Sequence, residues 1–364
     1  MASGLTRRDL LSGRTGSDRG QTGVRAGSDQ GQTGVEPPSD PGLTLGRDAA
    51  DFLLRVHRRI MACRVEVVLP GEASEQLAVA QAALDEADRL EELMTIFRET
   101  SELTRINRGA RAQPLRTTDE LFAVLLQSAE IHHATEGAFD ITSTPLSECW
   151  GFLRREGRLP CDQAIATARA RVGMHFVELE PRDRTVYFRR EGVTLNLGSI
   201  GKGFALDRMG QFLRQRGVNH ALISAGSSSI LAIGVTPRPW DIDLRSITSG
   251  ERLARLRVSD AAVGISGAGE QFFEADGVRY GHVIDPRTGR PASGVLSASV
   301  IASSAASADA LSTAFLIGGP DLAERYCASH PGVLAIITAD SSPQNERPRP
   351  LVLGSCPGAS VELV

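Results

Sequence analysis

The sequence has few cysteines, few aromatic residues and no excess of positive charge. Its five cysteines are far apart and form no Cys-x-x-Cys pair, which argues against a zinc knuckle and a disulfide framework. Lysine and arginine number 40 against 44 for aspartate and glutamate, so the basic surface typical of nucleic-acid binding is missing. No apolar run approaches the roughly 20 residues of a membrane-spanning helix. We therefore expect a protein that acts on metabolites, with no nucleic-acid partner and no membrane span.

Residues 1–46 contain almost no bulky apolar side chains. They include a direct repeat, residues 16–24 followed by residues 27–35, and are rich in Gly, Ser, Thr, Asp and Arg. Such a segment cannot bury enough apolar surface to offset chain entropy, so we predict a disordered extension before one domain at residues 47–364. Residues 6–11 resemble a twin-arginine signal, but no apolar region follows them. The sequence favours a cytoplasmic protein, with a degenerate export leader as the alternative.

The remaining sequence alternates between helix and strand patterns. Apolar spacing predicts helices at residues 74–97, 118–134, 162–172, 203–216, 308–317 and 320–329, the second of them opened by a capping box of Thr117 and Glu120. Apolar alternation predicts strands at residues 64–69, 175–180, 185–189, 193–197, 221–225, 241–245, 279–284, 296–301 and 333–338. Because many strands follow one another through short turns, we predict an α+β fold with mixed or antiparallel sheets flanked by helices.

Residues 198–203, Gly-Ser-Ile-Gly-Lys-Gly, separate a predicted strand from a predicted helix. Glycines allow backbone N–H groups to approach an anion, and Lys202 adds a positive charge, so this segment resembles a phosphate cradle. It matches neither the Walker spacing nor the dinucleotide fingerprint. A purely structural glycine-rich turn is the alternative.

Residues 282–291 contain His282, Asp285 and Arg287 around a turn set by Pro286 and Gly289. Histidine accepts protons near neutral pH, so His282 is a candidate base that activates a hydroxyl group. An ordinary β-turn with a surface charge cluster is the alternative.

Asp309 and Thr313 are four residues apart at the predicted start of a helix and therefore share one of its faces. One carboxylate with neighbouring hydroxyls and a backbone carbonyl forms a set of hard oxygen ligands suited to Mg²⁺. Helix capping by Asp309 is the alternative.

Residues 137–142, Gly-Ala-Phe-Asp-Ile-Thr, place an aromatic ring and an acid in a tight turn, and Trp150 follows nearby. This composition suits the wall of a pocket for a planar ring system. Core packing of Phe139 and Trp150 explains it equally well.

In this order and spacing, these segments resemble the ApbE family of flavin transferases, the FAD:protein FMN transferases. The similarity runs from about residue 60 to about residue 319. It rests on Phe97 with residues 101–107 (Ser-Glu-Leu-Thr-Arg-Ile-Asn), and on residues 138–140, 197–207, 282–291 and 309–313.

The resemblance implies Mg²⁺-dependent transfer of FMN from FAD to a Thr or Ser hydroxyl of an acceptor flavoprotein, with release of AMP. It implies FAD contacts from Met61, Phe97, Ala138, Phe139, Asp140, Asn196, Lys202 and Ile284. The implied Mg²⁺ ligands are the carbonyl of Ser199 and the side chains of Asp309, Thr313 and Ser312. His282 would be the base, with Asp285 as the alternative. An FAD-sequestering protein and a Mg²⁺-dependent FAD pyrophosphatase, which releases FMN and AMP, are the alternative functions.

Several positions depart from the family pattern. Ala62 and Cys63 stand where glycine and threonine are usual, and Asn196 stands where an acid is common. Residues 226–229, Gly-Ser-Ser-Ser, replace a Gly-Gly-Asp turn, and residues 268–269 lack a nearby aromatic residue. The two missing acids lead us to expect looser recognition of the adenine or the ribose.

Overall fold

An antiparallel sheet of eight strands organises the protein. The computed structural model describes residues 52–234, 239–246, 249–269, 271–340 and 349–364. The strands are β1 (Leu53–Ile60), β2 (Cys63–Pro70), β3 (Leu115–Arg116), β4 (Val177–Glu180), β5 (Thr185–Phe188), β6 (Ala221–Ala225), β7 (Ser229–Ile233), β8 (Trp240–Arg245), β9 (Arg252–Val258), β10 (Ala262–Gly267), β11 (Phe272–Ala275), β12 (Val278–Gly281), β13 (Ile284–Asp285), β14 (Arg290–Pro291), β15 (Val295–Ala302), β16 (Leu334–Ala339), β17 (Leu351–Gly354) and β18 (Ala359–Leu363). The α-helices are α1 (Leu77–Met94), α2 (Glu102–Gly109), α3 (Asp119–Ala134), α4 (Thr144–Cys149), α5 (Asp162–Arg169), α6 (Gly201–Gln215) and α7 (Ala305–Ser329).

The large sheet has the order β1-β2-β6-β7-β10-β15-β16-β17, and its pairings are antiparallel. Separate small sheets are formed by β18-β9-β8, β3-β5-β4, β11-β12 and β13-β14. This arrangement of helices and antiparallel sheets confirms the predicted α+β class.

Different apolar cores cover the two faces of the large sheet. On one face, Ile223 of β6 shares a core with Leu84 of α1 and Leu206 of α6. On the other face, the preceding residue, Leu222, shares a core with Trp240 of β8. Successive side chains of a strand point to opposite faces, so β6 contributes to both cores. The helices thus cover one face and the sheet β18-β9-β8 covers the other.

The β1–β2 hairpin has a strained turn at the two positions that join its strands. Ile60 pairs with Cys63, and the two residues between them have positive φ angles, 53° at Met61 and 59° at Ala62. A two-residue turn with both φ values positive is the type I′ turn, which favours Gly or Asn. Ala62 therefore adopts a left-handed conformation at the position where the family pattern has glycine.

We expect Ala62→Gly to raise the free energy of unfolding by about 0.5–1 kcal/mol. The left-handed conformation costs a non-glycine residue roughly 1–2 kcal/mol, and the extra entropy of glycine in the unfolded chain takes back about 0.4–1 kcal/mol. Thermal melting should show a rise of about 1–3 °C. The control is Ala82→Gly in the middle of α1, which should instead lower stability by about 1 kcal/mol. A destabilised Ala62→Gly would mean that the turn is not strained.

The first predicted helix is shorter than its apolar spacing suggested. A 3₁₀ segment occupies Gly71–Gln76, and α1 ends at Met94, after which Thr95 is extended. Phe97, predicted to lie on the same buried face as Leu90, is 77% exposed. The periodicity continues past the end of the helix, so it misplaced Phe97.

The predicted capping residue of α3 was wrong by one position. The Thr118 side chain accepts a hydrogen bond from the backbone N–H of Leu121, at 3.4 Å. The Thr117 hydroxyl instead donates to the carbonyl of Arg184, at 3.2 Å. Two consecutive threonines offered the same signal, and their tertiary surroundings decided between them.

Residues 193–197 are not a strand, contrary to the prediction. Both backbone groups of Leu195 bond to the side-chain amide of Asn107, which donates at 2.9 Å and accepts at 2.8 Å. The backbone N–H of Asn196 donates to the carbonyl of Ile141 at 2.8 Å. These partners take the place of a neighbouring strand.

Two other predicted segments are interrupted. The strand predicted at residues 279–284 breaks after Gly281, because the chain leaves the β11–β12 hairpin and enters the β13–β14 hairpin. The two helices predicted at residues 308–317 and 320–329 form α7, which begins earlier and is kinked at Gly319, where φ is 70°. Pro320 follows the kink.

The predicted extension at residues 1–46, its boundary with the domain at residues 47–364 and the twin-arginine-like segment lie outside the described residues. They stay predictions. Where the chain is described, no helix combines the length and the apolar character needed to cross a membrane.

Candidate active site

Segments distant in sequence meet at one end of the large sheet. Gly226, just after β6, donates its N–H to the carbonyl of Arg64 at 2.8 Å. Ile265 of β10 donates its N–H to the carbonyl of Ser228 at 2.7 Å. Lys202 of α6 donates to the Ser228 hydroxyl at 2.5 Å. The β1–β2 hairpin, the turn at residues 226–228, β10 and the start of α6 therefore border one site.

Asp309 of α7 is the buried acid of this site, at 4% exposure. Its Oδ2 accepts the N–H of Gly203 at 3.1 Å, and its Oδ1 accepts the hydroxyl of Ser229 at 2.9 Å. Burial raises the pKa of the Asp309 carboxyl, while the Lys202 ammonium and these two donors lower it. The N-cap of α7 is Ser304, so the capping alternative for Asp309 was wrong.

Glycines set the position of α7 and hence of Asp309. A Cβ atom on Gly203 would lie 2.1 Å from the carbonyl oxygen of Ala305, and one on Gly264 would lie 2.2 Å from that of Ala308. No side chain fits at either contact, so α7 lies directly against α6 and β10.

Asp207 of α6 fixes the first turn of α7. Its carboxylate accepts the N–H groups of Ala305 and Ala306, at 2.7 and 2.9 Å, and the hydroxyl of Ser304, at 2.8 Å. An acid at the N-terminus of a helix satisfies free N–H groups and interacts favourably with the helix dipole.

A group of hydroxyls adjoins Asp309. The Ser266 oxygen lies 2.8 Å from that of Ser312 and 3.2 Å from that of Thr313, and the Ser312 hydroxyl donates to the carbonyl of Asp309 at 2.8 Å. One carboxylate with several neutral oxygens matches the ligand preference of Mg²⁺, which also uses water and substrate phosphates. The residues present therefore fit this ion. Ser199 lies in the turn that leads into α6.

The glycine-rich segment, predicted as a phosphate cradle, makes hydrogen bonds within the protein. Helix α6 begins at Gly201, two residues earlier than predicted, so Lys202 lies in its first turn. The N–H of Gly203 bonds to the carboxyl group of Asp309, within the protein itself. Asn196 closes the preceding turn by accepting the N–H of Gly198 at 2.9 Å.

His282 lies where the β11–β12 hairpin ends. Its backbone N–H donates to the carbonyl of Gln271 at 3.0 Å, and its Nδ1 lies 3.2 Å from the same oxygen. The Phe152 ring meets the imidazole edge-on, with the ring centroids 6.5 Å apart. Because a carbonyl only accepts hydrogen bonds, we assign the proton to Nδ1.

Asp285 is engaged by its own turn. Arg287 donates to it through Nε and Nη2, both at 2.9 Å, and through its backbone N–H, also at 2.9 Å. Trp150 donates from Nε1 to the carbonyl of Gly289 at 2.8 Å and so fixes the far side of the turn. The rings of Phe139 and Trp150 are each 1% exposed, as expected for the core-packing alternative.

Comparison with known proteins identifies the family. The family model described as the ApbE family matches residues 61–337. The chain belongs to the ApbE family. A FAD:protein FMN transferase of Klebsiella pneumoniae (strain 342) is 31% identical over 272 residues, which cover 72% of this chain and 77% of the relative. One of Vibrio cholerae serotype O1 is 30% identical over 255 residues, covering 67% and 76%. The crystal structure of the ApbE protein of Thermotoga maritima superposes with a TM-score of 0.74 at 28% identity, covering 80% of this chain and 96% of that one.

The ApbE resemblance predicted from sequence is thereby confirmed, and the structure shows where the residues predicted for its site lie. A charge interaction joins Lys202 to Asp309. The hydroxyls of Ser312 and Thr313 bond to the backbone carbonyl of Asp309 and lie next to the Ser266 hydroxyl. Ile284 and Asp285 form β13 of the β13–β14 hairpin, and His282 lies between β12 and β13. Met61 lies in the β1–β2 turn and Phe97 follows α1. Ala138, Phe139 and Asp140 lie in the loop between α3 and α4, and Asn196 lies in the segment that precedes α6.

Sequence reasoning missed three serines that contact the predicted site residues. Ser228 accepts a hydrogen bond from Lys202, and Ser229 donates one to Asp309. Ser266 contacts Ser312 and Thr313. The signal for the first two was the departure at residues 226–229, which was interpreted as a loss. In the folded protein their hydroxyls bond to charged groups of the site.

Proposed function

We propose that this protein transfers FMN from FAD to a Thr or Ser hydroxyl of an acceptor flavoprotein, with release of AMP. The observation that carries the proposal is the bond of the Asp309 carboxylate to the N–H of Gly203 at the start of α6, within the electrostatic reach of Lys202. The hydroxyls of Ser312 and Thr313 follow Asp309 along α7 and bond to its backbone carbonyl. Membership of a family whose matched relatives are named FAD:protein FMN transferases supports it.

In this proposal the reaction is a phosphoryl transfer. The acceptor oxygen forms a bond to the FMN phosphorus, and the bond from that phosphorus to the AMP oxygen breaks. Asp309, Ser312, Thr313 and the Ser199 carbonyl would hold Mg²⁺, which supplies charge neutralisation at the pyrophosphate. Lys202 adds a positive charge next to them, so most of the catalytic effect comes from positioning and electrostatics.

His282 would accept the proton of the acceptor hydroxyl. Its Nδ1–H faces the carbonyl of Gln271, so Nε2 is the basic nitrogen of the neutral imidazole. Asp285 is the weaker candidate because three N–H donors from Arg287 already bond to its carboxylate oxygens. The geometry therefore favours the histidine.

The test incubates the purified protein with FAD, Mg²⁺ and an apo-flavoprotein domain that carries FMN on a threonine when mature. In-gel flavin fluorescence and intact mass should show one FMN group on the acceptor, and AMP should appear in equal amount. Free FMN with an unmodified acceptor would instead identify an FAD pyrophosphatase. Intact FAD that stays bound would identify a sequestering protein.

We expect Phe97→Ala to raise the dissociation constant of FAD about tenfold. The ring is 77% exposed in a segment to which the family resemblance assigns an FAD contact, and stacking on a flat base is worth roughly 1–3 kcal/mol. Because the ring is so exposed, it contributes little to the stability of the fold, and the melting temperature of the variant should equal that of the wild type. Quenching of flavin fluorescence measures the affinity.

Phe52→Ala is the matched control, because Phe52 is 74% exposed and precedes β1. The eight residues of β1 separate it from the Met61 turn, a distance of roughly 25 Å. Equal weakening by both substitutions would exclude a local role for Phe97.

A further inference from the structure

A histidine–aspartate contact outside the proposed chemistry lies next to the loop at residues 137–142. His132 is in the last turn of α3, and its Nδ1 lies 2.9 Å from the carbonyl oxygen of Phe139. The same nitrogen lies 3.4 Å from Oδ2 of Asp140. Both oxygens only accept hydrogen bonds when the carboxyl is ionised, so Nδ1 carries a proton and donates it to this loop.

The rest of the loop is tied by hydroxyl groups. The other oxygen of Asp140, Oδ1, accepts the N–H of Thr142 at 2.7 Å and its hydroxyl at 2.6 Å. The Thr142 oxygen in turn accepts the N–H of Gly173 at 2.7 Å. The Thr135 hydroxyl accepts the N–H of Phe139 at 3.3 Å. The loop is thus held on both sides of the Phe139 peptide groups.

The side chains of this loop point inward. Ala138 is 0%, Phe139 1% and Asp140 7% exposed. A ligand on this loop therefore meets its backbone, and the orientation of each peptide group decides which N–H or carbonyl it meets. The imidazole of His132 fixes one of those peptide groups directly, through the carbonyl of Phe139.

The loop also touches the turn that follows His282. A Cβ atom on Gly137 would lie 3.6 Å from Cε1 of His132 and 3.9 Å from Cγ of Arg287. Gly137 is therefore enclosed between the imidazole and the arginine that holds Asp285. A shift of the imidazole would therefore displace Gly137 and change its contact with Arg287.

We infer that His132 is a positioning residue for flavin binding: its Nδ1–H sets the peptide orientation of the loop at residues 137–140, on which the flavin part of FAD lies. This inference rests on the proposed function, because it takes FAD as the ligand of the loop. His132 acts through the backbone of Phe139 and the carboxylate of Asp140.

The experiment compares three substitutions at His132 with one at its neighbour. Asparagine places an amide N–H where Nδ1 lies, whereas glutamine places it one bond further out and leucine offers no donor. His132→Leu and His132→Gln should raise the dissociation constant and the KM for FAD about tenfold, the usual effect of losing a hydrogen bond to a partly charged acceptor pair. His132→Asn should stay within about threefold of wild type, and kcat at saturating FAD should change little in all three. His133→Leu, at the adjacent exposed position, should bind FAD like wild type.

The outcomes separate the inference from the proposed function. Wild-type protein that fails to bind FAD would overturn both. Wild-type binding with unchanged affinity in His132→Leu, or with His132→Asn as weak as His132→Gln, would overturn only the inference. A purely structural role would lower the melting temperature of the variants and leave the affinity of the folded fraction unchanged. If His132→Leu does not fold, the comparison of asparagine with glutamine decides.

Discussion

Replacement of Asp309 by asparagine should abolish Mg²⁺-stimulated FMN transfer while the protein stays folded. Asp309 supplies the carboxylate of the proposed ligand set, and an amide is a far weaker ligand for Mg²⁺. The exchange suits the surroundings, because the new amide oxygen can accept the N–H of Gly203 and the new NH₂ group can donate to Ser229. Transfer activity at saturating Mg²⁺, measured with FAD affinity, checks the expectation.

Asp309→Asn should lower the activity but should not lower the thermal stability of the metal-free protein. Burial raises the pKa of Asp309 in the folded state, so the stability linked to its protonated form is present below the unfolded pKa and is lost as pH rises through the folded value. Above that folded value the metal-free protein would carry a buried charge, which asparagine removes. The metal-free variant should therefore melt at or above the wild-type temperature, and Mg²⁺ with FAD should no longer raise it.

A pH series tests the same carboxyl. Protons compete with the metal, so the Mg²⁺ affinity of the wild type should fall as pH is lowered through the raised pKa of Asp309. Equal loss of FAD binding, activity and thermal stability in Asp309→Asn would show that the carboxylate only maintains the fold. A variant that still responds to Mg²⁺ would remove Asp309 from the ligand set.

His282→Ala should lower single-turnover transfer by about 10²- to 10⁴-fold, the usual contribution of a positioned general base. FAD affinity should change by no more than a few-fold, because the proposed role of His282 concerns the acceptor hydroxyl. Added imidazole should restore part of the rate, since the substitution leaves a space beside Phe152 and Gln271. Rapid-quench measurement of labelled acceptor gives the rate.

Asp285→Asn is the matched comparison for the choice of base. It removes a charge that Arg287 stabilises and should slow transfer much less than His282→Ala, without rescue by imidazole. An unchanged rate in His282→Ala would remove the histidine from the mechanism. A lower melting temperature with normal activity per folded molecule would assign it to the turn alone.

The fold class and most core elements could be predicted because they depend on local patterns. The strand at residues 221–225 coincides with β6, and α3 begins within one residue of its prediction. The conformation of residues 193–197 could not be predicted, because the partner of this segment is the side chain of Asn107, 88 residues earlier in the chain. A side-chain amide that replaces a strand leaves no periodic signal.

The residues of the proposed site were chosen from the sequence, but the contacts among them could not be. Lys202 and Asp309 were both chosen, yet their connection through Ser228, Ser229 and Gly203 was not. Contacts of this kind depend on which faces of two elements meet. The family resemblance indicated Lys202 and Asp309, and the folded structure shows the residues to which they bond.

The hydrogen bonds of the Asp309 carboxyl group join residues that are far apart in sequence and so close long chain loops. Gly203 is 106 residues away in sequence and Ser229 is 80 residues away. Closing such loops has an entropic cost that only the assembled sheet and helices offset, so the site has a high contact order. These groups meet only when α6, β7 and α7 are assembled, so destabilising substitutions in the large sheet would reduce the number of working molecules before they alter the rate of each one.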